Sequence, residues 1–134
     1  MIVVDTSAWI ELLRKTESAV HRTLMQLVLE GRSLYLTEVV AMELLAGARD
    51  AAGQDRLRSG PLALPVLTLA GVADFEAAAE LYRRCRRAGE TVRKLTDCLV
   101  AVPTIAAEAE LLHADADFEI LARHTPLRVH AVAG

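Results

Sequence analysis

Apolar positions alternate along the chain between short runs rich in β-branched residues or leucine and longer stretches where they return every three or four residues, the periodicities of strands and helices. Ile2, Val3 and Val4 read as a strand, and Asp5, Thr6 and Ser7, all helix-capping types, precede a helix over 8–13. Val20, Leu24, Leu27 and Val28 place one apolar face on a second helix over 18–30, stopped by Gly31. A strand over 34–36 leads through Thr37 into a strongly apolar helix over 38–46, closed by Gly47, in which Glu43 is the odd residue. Residues 51–58 are a short polar helix or loop, Pro61 and Pro65 punctuate the chain before a strand over 66–69, and a long helix covers about 72–88. Gly89 breaks it, Thr96 and Asp97 open a further apolar helix, and a strand at 111–112, a helix over 115–122 and a strand over 127–132 complete the pattern. Strands alternating with helices predict an α/β domain spanning 1–134, with a mostly parallel central sheet flanked by helices on both faces. Ligands of such sheets bind beyond the carboxyl ends of the strands.

Composition narrows the class. With 134 residues, 53% of them hydrophobic, there is material for one domain and a real core. A net charge of -3 excludes a global basic field, so any nucleic-acid role needs a local patch. Residues 83–94 provide one, since RRCRRAGETVRK carries six basic residues and one acidic, a local +5 that leaves -8 on the remainder. Cys85 and Cys98 form no CxxC pair and imply no disulfide framework. No uncharged stretch is long enough to span a bilayer and no basic segment precedes the first apolar run, so a cytoplasmic protein with no membrane role is expected. Trp9, Tyr35, Phe75, Tyr82 and Phe118 are few and spread out; they read as core rather than as a base-stacking platform. His21, His113, His124 and His130 lack ligand spacing and take no role.

The candidate chemistry is acidic. Asp5 and Asp115 each fall just past a predicted strand end, Asp97 opens an apolar helix, and Glu43 stands among Val39, Val40, Leu44 and Leu45, where a lone buried carboxylate is costly. Singly, Asp5 and Asp97 read as helix caps and Glu43 as a rim residue; Asp117 reads as a cap more readily than as a ligand. Brought together, four carboxylates demand a cation or raised pKa values. An all-oxygen set favours a hard ion such as Mg²⁺, for which Mn²⁺ substitutes, over zinc.

The segments VVDTSAWIE, AMELLAG, LTDCLVA and LLHADADFEILA, in this order and spacing, resemble the PIN-domain ribonucleases, and among them the VapC toxins of bacterial toxin–antitoxin pairs. The likeness runs from Ile2 to about Val129. It implies that Asp5, Glu43, Asp97 and Asp115 are the catalytic acids, with Asp5, Asp97 and Asp115 on the metal, Asp117 assisting, and Ser7 or Thr6 orienting Asp5. It also implies Mg²⁺-dependent cleavage of single-stranded or loop RNA, tRNA or rRNA in particular, arresting translation. The implied partners are a cognate VapB-like antitoxin, through which alone DNA is met, and a second copy in a homodimer. Arg86, Arg87, Arg93 and Lys94 are the basic residues expected to guide an RNA backbone to the acids; the competing reading is a solvated face paired with Glu76, Glu80 or Glu90.

Two features depart from the family pattern. Pro103 and Thr104 interrupt the helix begun at Asp97, and Glu108 stands near the position where a glycine usually ends it. A kink or early stop there would displace Asp97, which keeps open a second reading, a catalytically impaired PIN-fold dimer that only binds its antitoxin. A phospho-aspartate phosphatase would need an acid two residues after Asp5, where Ser7 stands.

Overall fold

A computed structural model describes residues 1–132; residues 133–134, within the expected domain span, lie outside the described residues. Five strands, β1 (Ile2–Val4), β2 (Leu34–Thr37), β3 (Val66–Leu67), β4 (Glu110–Leu112) and β5 (Arg128–Val129), form one parallel sheet in the order β3-β2-β1-β4-β5. Seven α-helices are described: α1 (Thr6–Leu13), α2 (Ala19–Leu29), α3 (Glu38–Gly47), α4 (Ala51–Ser59), α5 (Val72–Arg87), α6 (Leu95–Ala106) and α7 (Ala116–His124). Consecutive strand residues face opposite sides, and Ile2, Val3 and Val4 are all buried, so both faces of the central strand are covered. Phe118, Leu24, Leu36, Leu111, Leu112 and Leu121 are the largest side chains fully withdrawn from water. No helix among the described residues is long and apolar enough to cross a membrane.

The chain leaves β1 towards β2 and β3 on one side and returns to β4 and β5 on the other. This reversal makes β1 and β4 the switch point of the sheet, and it is beyond the carboxyl ends of such strands that open parallel sheets bind ligands. The Asp5 N–H donates to the Leu112 carbonyl at 2.9 Å, extending the β1–β4 ladder up to the first acid.

Three expectations are corrected. Pro103 does not stop its helix: α6 continues to Ala106 with Pro103 buried inside it, and the Thr104 hydroxyl donates to the Val100 carbonyl at 2.8 Å. Asp97 lies in the first turn, beyond the reach of the single backbone hydrogen bond that proline removes. Phe75 is 52% exposed, and only Trp9 and Phe118 of the aromatic residues are fully buried. The last strand holds two residues rather than six, although His130 N–H adds one more bond to the Leu111 carbonyl at 2.8 Å.

Glu108 follows α6 at φ 53°, in the left-handed region, with its N–H donating to the Ile105 carbonyl and that of Ala109 to the Thr104 carbonyl. Paired bonds of this kind are the Schellman helix ending, which favours glycine at the left-handed residue. Glu108→Gly is expected to stabilise the protein by about 0.5–1 kcal/mol, read as a higher urea midpoint at unchanged slope.

Candidate metal and catalytic site

Asp5, Thr6 and Ser7 cap α1 at the end of β1. Asp5 Oδ2 accepts the Ser7 N–H at 2.9 Å and the Ser7 hydroxyl at 2.6 Å, while the Ser7 oxygen accepts the Ala114 N–H at 2.9 Å from the segment after β4. Ser7 thus ties the two strand ends together and fixes Asp5 in one orientation. Thr6 turns away from Asp5 and donates instead to Glu43 Oε1 on α3 at 2.7 Å. That bond gives half-buried Glu43 the polar partner its apolar helix lacks.

On the opposite side stand Asp97, in the first turn of α6, and Asp115 and Asp117, at the start of α7. One oxygen from each of these three lies within 4.8 Å of the other two. Asp115 is the N-cap of α7, its Oδ1 accepting the Asp117 N–H at 2.9 Å. Asp117, read from sequence mainly as that helix's cap, instead takes the backbone N–H groups of Arg93 at 3.1 Å and Lys94 at 3.0 Å, one on each oxygen. This fully buried carboxylate supplies the acceptor that the α6 N-terminus does not find in its own N-cap, Lys94. Nothing local in the sequence signals the pairing, because its partners lie 23 and 24 residues earlier.

Burial, then the adjacent Asp117 and Asp5, push the Asp97 carboxyl up to about 8. Burial also raises Asp5, against the opposing hydrogen bonds from Ser7. For Asp115 burial pulls upward, but the Lys94 hydrogen bond and the Asp117 N–H outweigh it and hold the group below its ordinary value. Asp117 is likewise lowered, its burial overcome by the two backbone N–H donors and the bond to Asp97. Side by side, then, burial shifts Asp97 and Asp5 towards their protonated forms while hydrogen bonds hold Asp115 and Asp117 towards their ionised ones.

The basic residues divide. Arg87 donates to Glu80 Oε1 at 2.9 Å, and the Arg86 guanidinium stacks over Tyr82 at 5.5 Å. Arg93 reaches Asp115 at 3.3 Å and Asp117 at 3.4 Å; the Lys94 ammonium lies 2.7 Å from Asp115 Oδ2 and 3.7 Å from Asp97 Oδ2. Arg93 and Lys94 therefore face the acids, while Arg86 and Arg87 lie on α5.

The donor set fits a hard divalent cation. Asp5 Oδ1 and Asp97 Oδ2 are buried oxygens without a hydrogen-bond partner, an arrangement costly for an ionised carboxylate unless a cation meets it. Asp117 spends both oxygens on amides, whereas Asp5 Oδ1 and Asp97 Oδ2 have no hydrogen-bond partner and Asp115 Oδ2 meets the Lys94 ammonium.

The PIN domain family profile matches residues 2–124. The chain is 43% identical to ribonuclease VapC11 of Mycobacterium tuberculosis over 129 residues, 96% of each protein. Its fold superposes on VapBC2 from Rickettsia felis, solved bound to a DNA fragment from its promoter, with TM-score 0.74 at 19% identity over 97% of this chain and 98% of that one. It superposes on M. tuberculosis VapC20, a toxin described as cleaving the sarcin–ricin loop, with TM-score 0.64 at 18% identity, covering 96% and 99%.

Proposed function

Since this chain belongs to the PIN domain family, we propose that it is a Mg²⁺-dependent endoribonuclease toxin that cleaves single-stranded or loop RNA, tRNA or rRNA, to arrest translation. The observation that carries the reading is that Asp5 and Asp97 each hold a buried oxygen without a hydrogen-bond partner, in a chain 43% identical to a VapC ribonuclease. Asp5, Asp97 and Asp115 would hold a divalent ion, which when bound would lower the pKa of a water and offset charge on the leaving oxygen. Mn²⁺ substitutes for Mg²⁺ in such an oxygen site.

The protein's own groups do the rest. Ser7 holds Asp5 in its orientation, and Thr6 holds Glu43 by Oε1, leaving Oε2 to receive a proton from the attacking water. Asp117 anchors the backbone that presents Arg93 and Lys94, which, with Arg86 and Arg87, offset the repulsion four carboxylates exert on RNA.

Its partner in this reading is a cognate VapB-like antitoxin, a pairing supported by the VapBC2 complex on which the fold superposes, with a basic residue set against the carboxylates; the reading also takes the protein as a cytoplasmic homodimer that meets DNA only through that antitoxin. The impaired-dimer reading loses its support because α6 runs unbroken past Pro103 and keeps Asp97 in place. The test is to incubate antitoxin-free protein with total RNA and sequence the fragment ends. Discrete 5′ ends within a few tRNA or rRNA loops, absent in EDTA, are expected; random degradation, or cleavage of duplex alone, contradicts the proposed substrate class.

A further inference from the structure

Lys94 holds two connections of different stiffness. Its backbone N–H is clamped by buried Asp117, whereas its side chain, 51% exposed, reaches across to Asp115 and Asp97. The oxygen it approaches on Asp97 has no hydrogen-bond partner, and the one on Asp115 is that carboxylate's only oxygen left over from capping α7. These are the oxygens that a divalent ion needs. A flexible four-carbon stem on a fixed backbone lets the ammonium withdraw without disturbing the fold. Arg93, anchored in the same way and 72% exposed, keeps Asp117 and the second Asp115 oxygen neutralised when it does.

We infer that Lys94 is a positioning residue that exchanges between two anions: it neutralises Asp97 and Asp115 in the metal-free site, and a divalent ion taking those oxygens expels it towards the phosphate backbone of incoming RNA. The inference rests on the carboxylates being a divalent-ion seat, as proposed above. Two consequences follow from charge alone. The ion binds against a resident competitor, so its affinity is held down. One of the cationic contacts to RNA becomes available only after the ion is bound, so ion and RNA favour each other's binding.

Both are measurable without turnover. Mn²⁺ is titrated calorimetrically into metal-free wild type, Lys94→Met and Lys94→Arg in the absence of RNA. Methionine keeps the stem's length and the backbone N–H to Asp117 but removes the charge. Lys94→Met is expected to bind Mn²⁺ about tenfold more tightly, and Lys94→Arg to stay within about threefold of wild type. In a second arm, single-stranded RNA is bound with Ca²⁺ in place of Mn²⁺ or in EDTA, across a salt series. With Ca²⁺ the salt slope of Lys94→Met is expected to be shallower than that of wild type by about 0.7, one phosphate contact; in EDTA the slopes coincide. Equal or weaker Mn²⁺ binding by Lys94→Met, Mn²⁺ binding by none of the proteins, or equal slopes with Ca²⁺ overturns the exchange. A protein that binds Mn²⁺ with this dependence on Lys94 yet cleaves no RNA contradicts the nuclease reading instead, which keeps the two failures apart.

Discussion

Asp97→Asn is expected to make the metal-free protein more stable and to abolish its activity at once. The Asp97 carboxyl is pushed up to about 8 in the fold, far above the 3.8 of a free side chain, so at neutral pH folding must hold a proton on it or bury an uncompensated charge. A group whose folded pKa is raised loses stability as pH climbs from the unfolded value to the folded one. Stability of the metal-free protein is thus expected to fall by about 1–2 kcal/mol between pH 5.5 and pH 8 as Asp97 ionises. Asp115 and Asp117, both lowered, have already made their full contribution in that window. Asparagine carries no charge to bury, so urea unfolding in EDTA should show a gain of about 2 kcal/mol at pH 7.5 and little pH dependence. Cleavage by the same preparation should fall at least about a hundredfold. A variant destabilised at pH 7.5 would contradict the assignment of Asp97 as a charge held at the expense of stability for function.

Asp117→Asn should do the reverse to stability. Its neighbour is buried as deeply, but Asp117 receives two backbone N–H bonds and Asp97 Oδ2 receives none. An asparagine has one acceptor oxygen and turns an N–H donor towards the other amide, so one buried backbone donor is left facing a donor. Hydrogen bonds to a charged group are worth about 1.5–3 kcal/mol, and an orphaned buried partner adds to the loss, so destabilisation of about 2–4 kcal/mol is expected. Loosening residues 93 and 94 also frees both cations from their places beside the carboxylates, and cleavage should fall with stability. Chemical denaturation of the two variants in parallel reads the contrast directly. Equal and opposite burial arguments fail here; the count of donors decides the sign.

What could be read in the sequence was whatever local pattern controls. The strand–Asp5–cap–helix run, the cap at Thr37 and the strand ending before Asp115 are each local, and the α/β alternation that follows from them is the architecture observed. Asp5 and Asp115 could be placed at one sheet edge because parallel strands put their carboxyl ends together. The role of Asp117 was hidden because its ligands are main-chain amides of a distant loop, which carry no residue-type signature. Arg93 and Lys94 belonged to a charge run whose six cations look alike in sequence; only the loop geometry after α5 turns two of them onto the acids. Phe75 fits the apolar stripe of α5 as well as any core residue, and which stripe packs depends on where α6 lies. Pro103 does not break α6, since a proline three-quarters of the way along a buried helix forfeits one bond that packing on both sides offsets.

The most direct test of the carboxylate site as a metal-dependent nuclease is single-turnover cleavage of one RNA oligonucleotide carrying a mapped site. Wild type is assayed in Mg²⁺ and in EDTA beside Asp5→Asn purified identically, with folding of both checked by thermal unfolding. Cleavage at the mapped bond by wild type in Mg²⁺, with none in EDTA and at least about a hundredfold less by a folded Asp5→Asn protein, is the predicted result. Equal cleavage by Asp5→Asn, or cleavage that persists in EDTA, would contradict it.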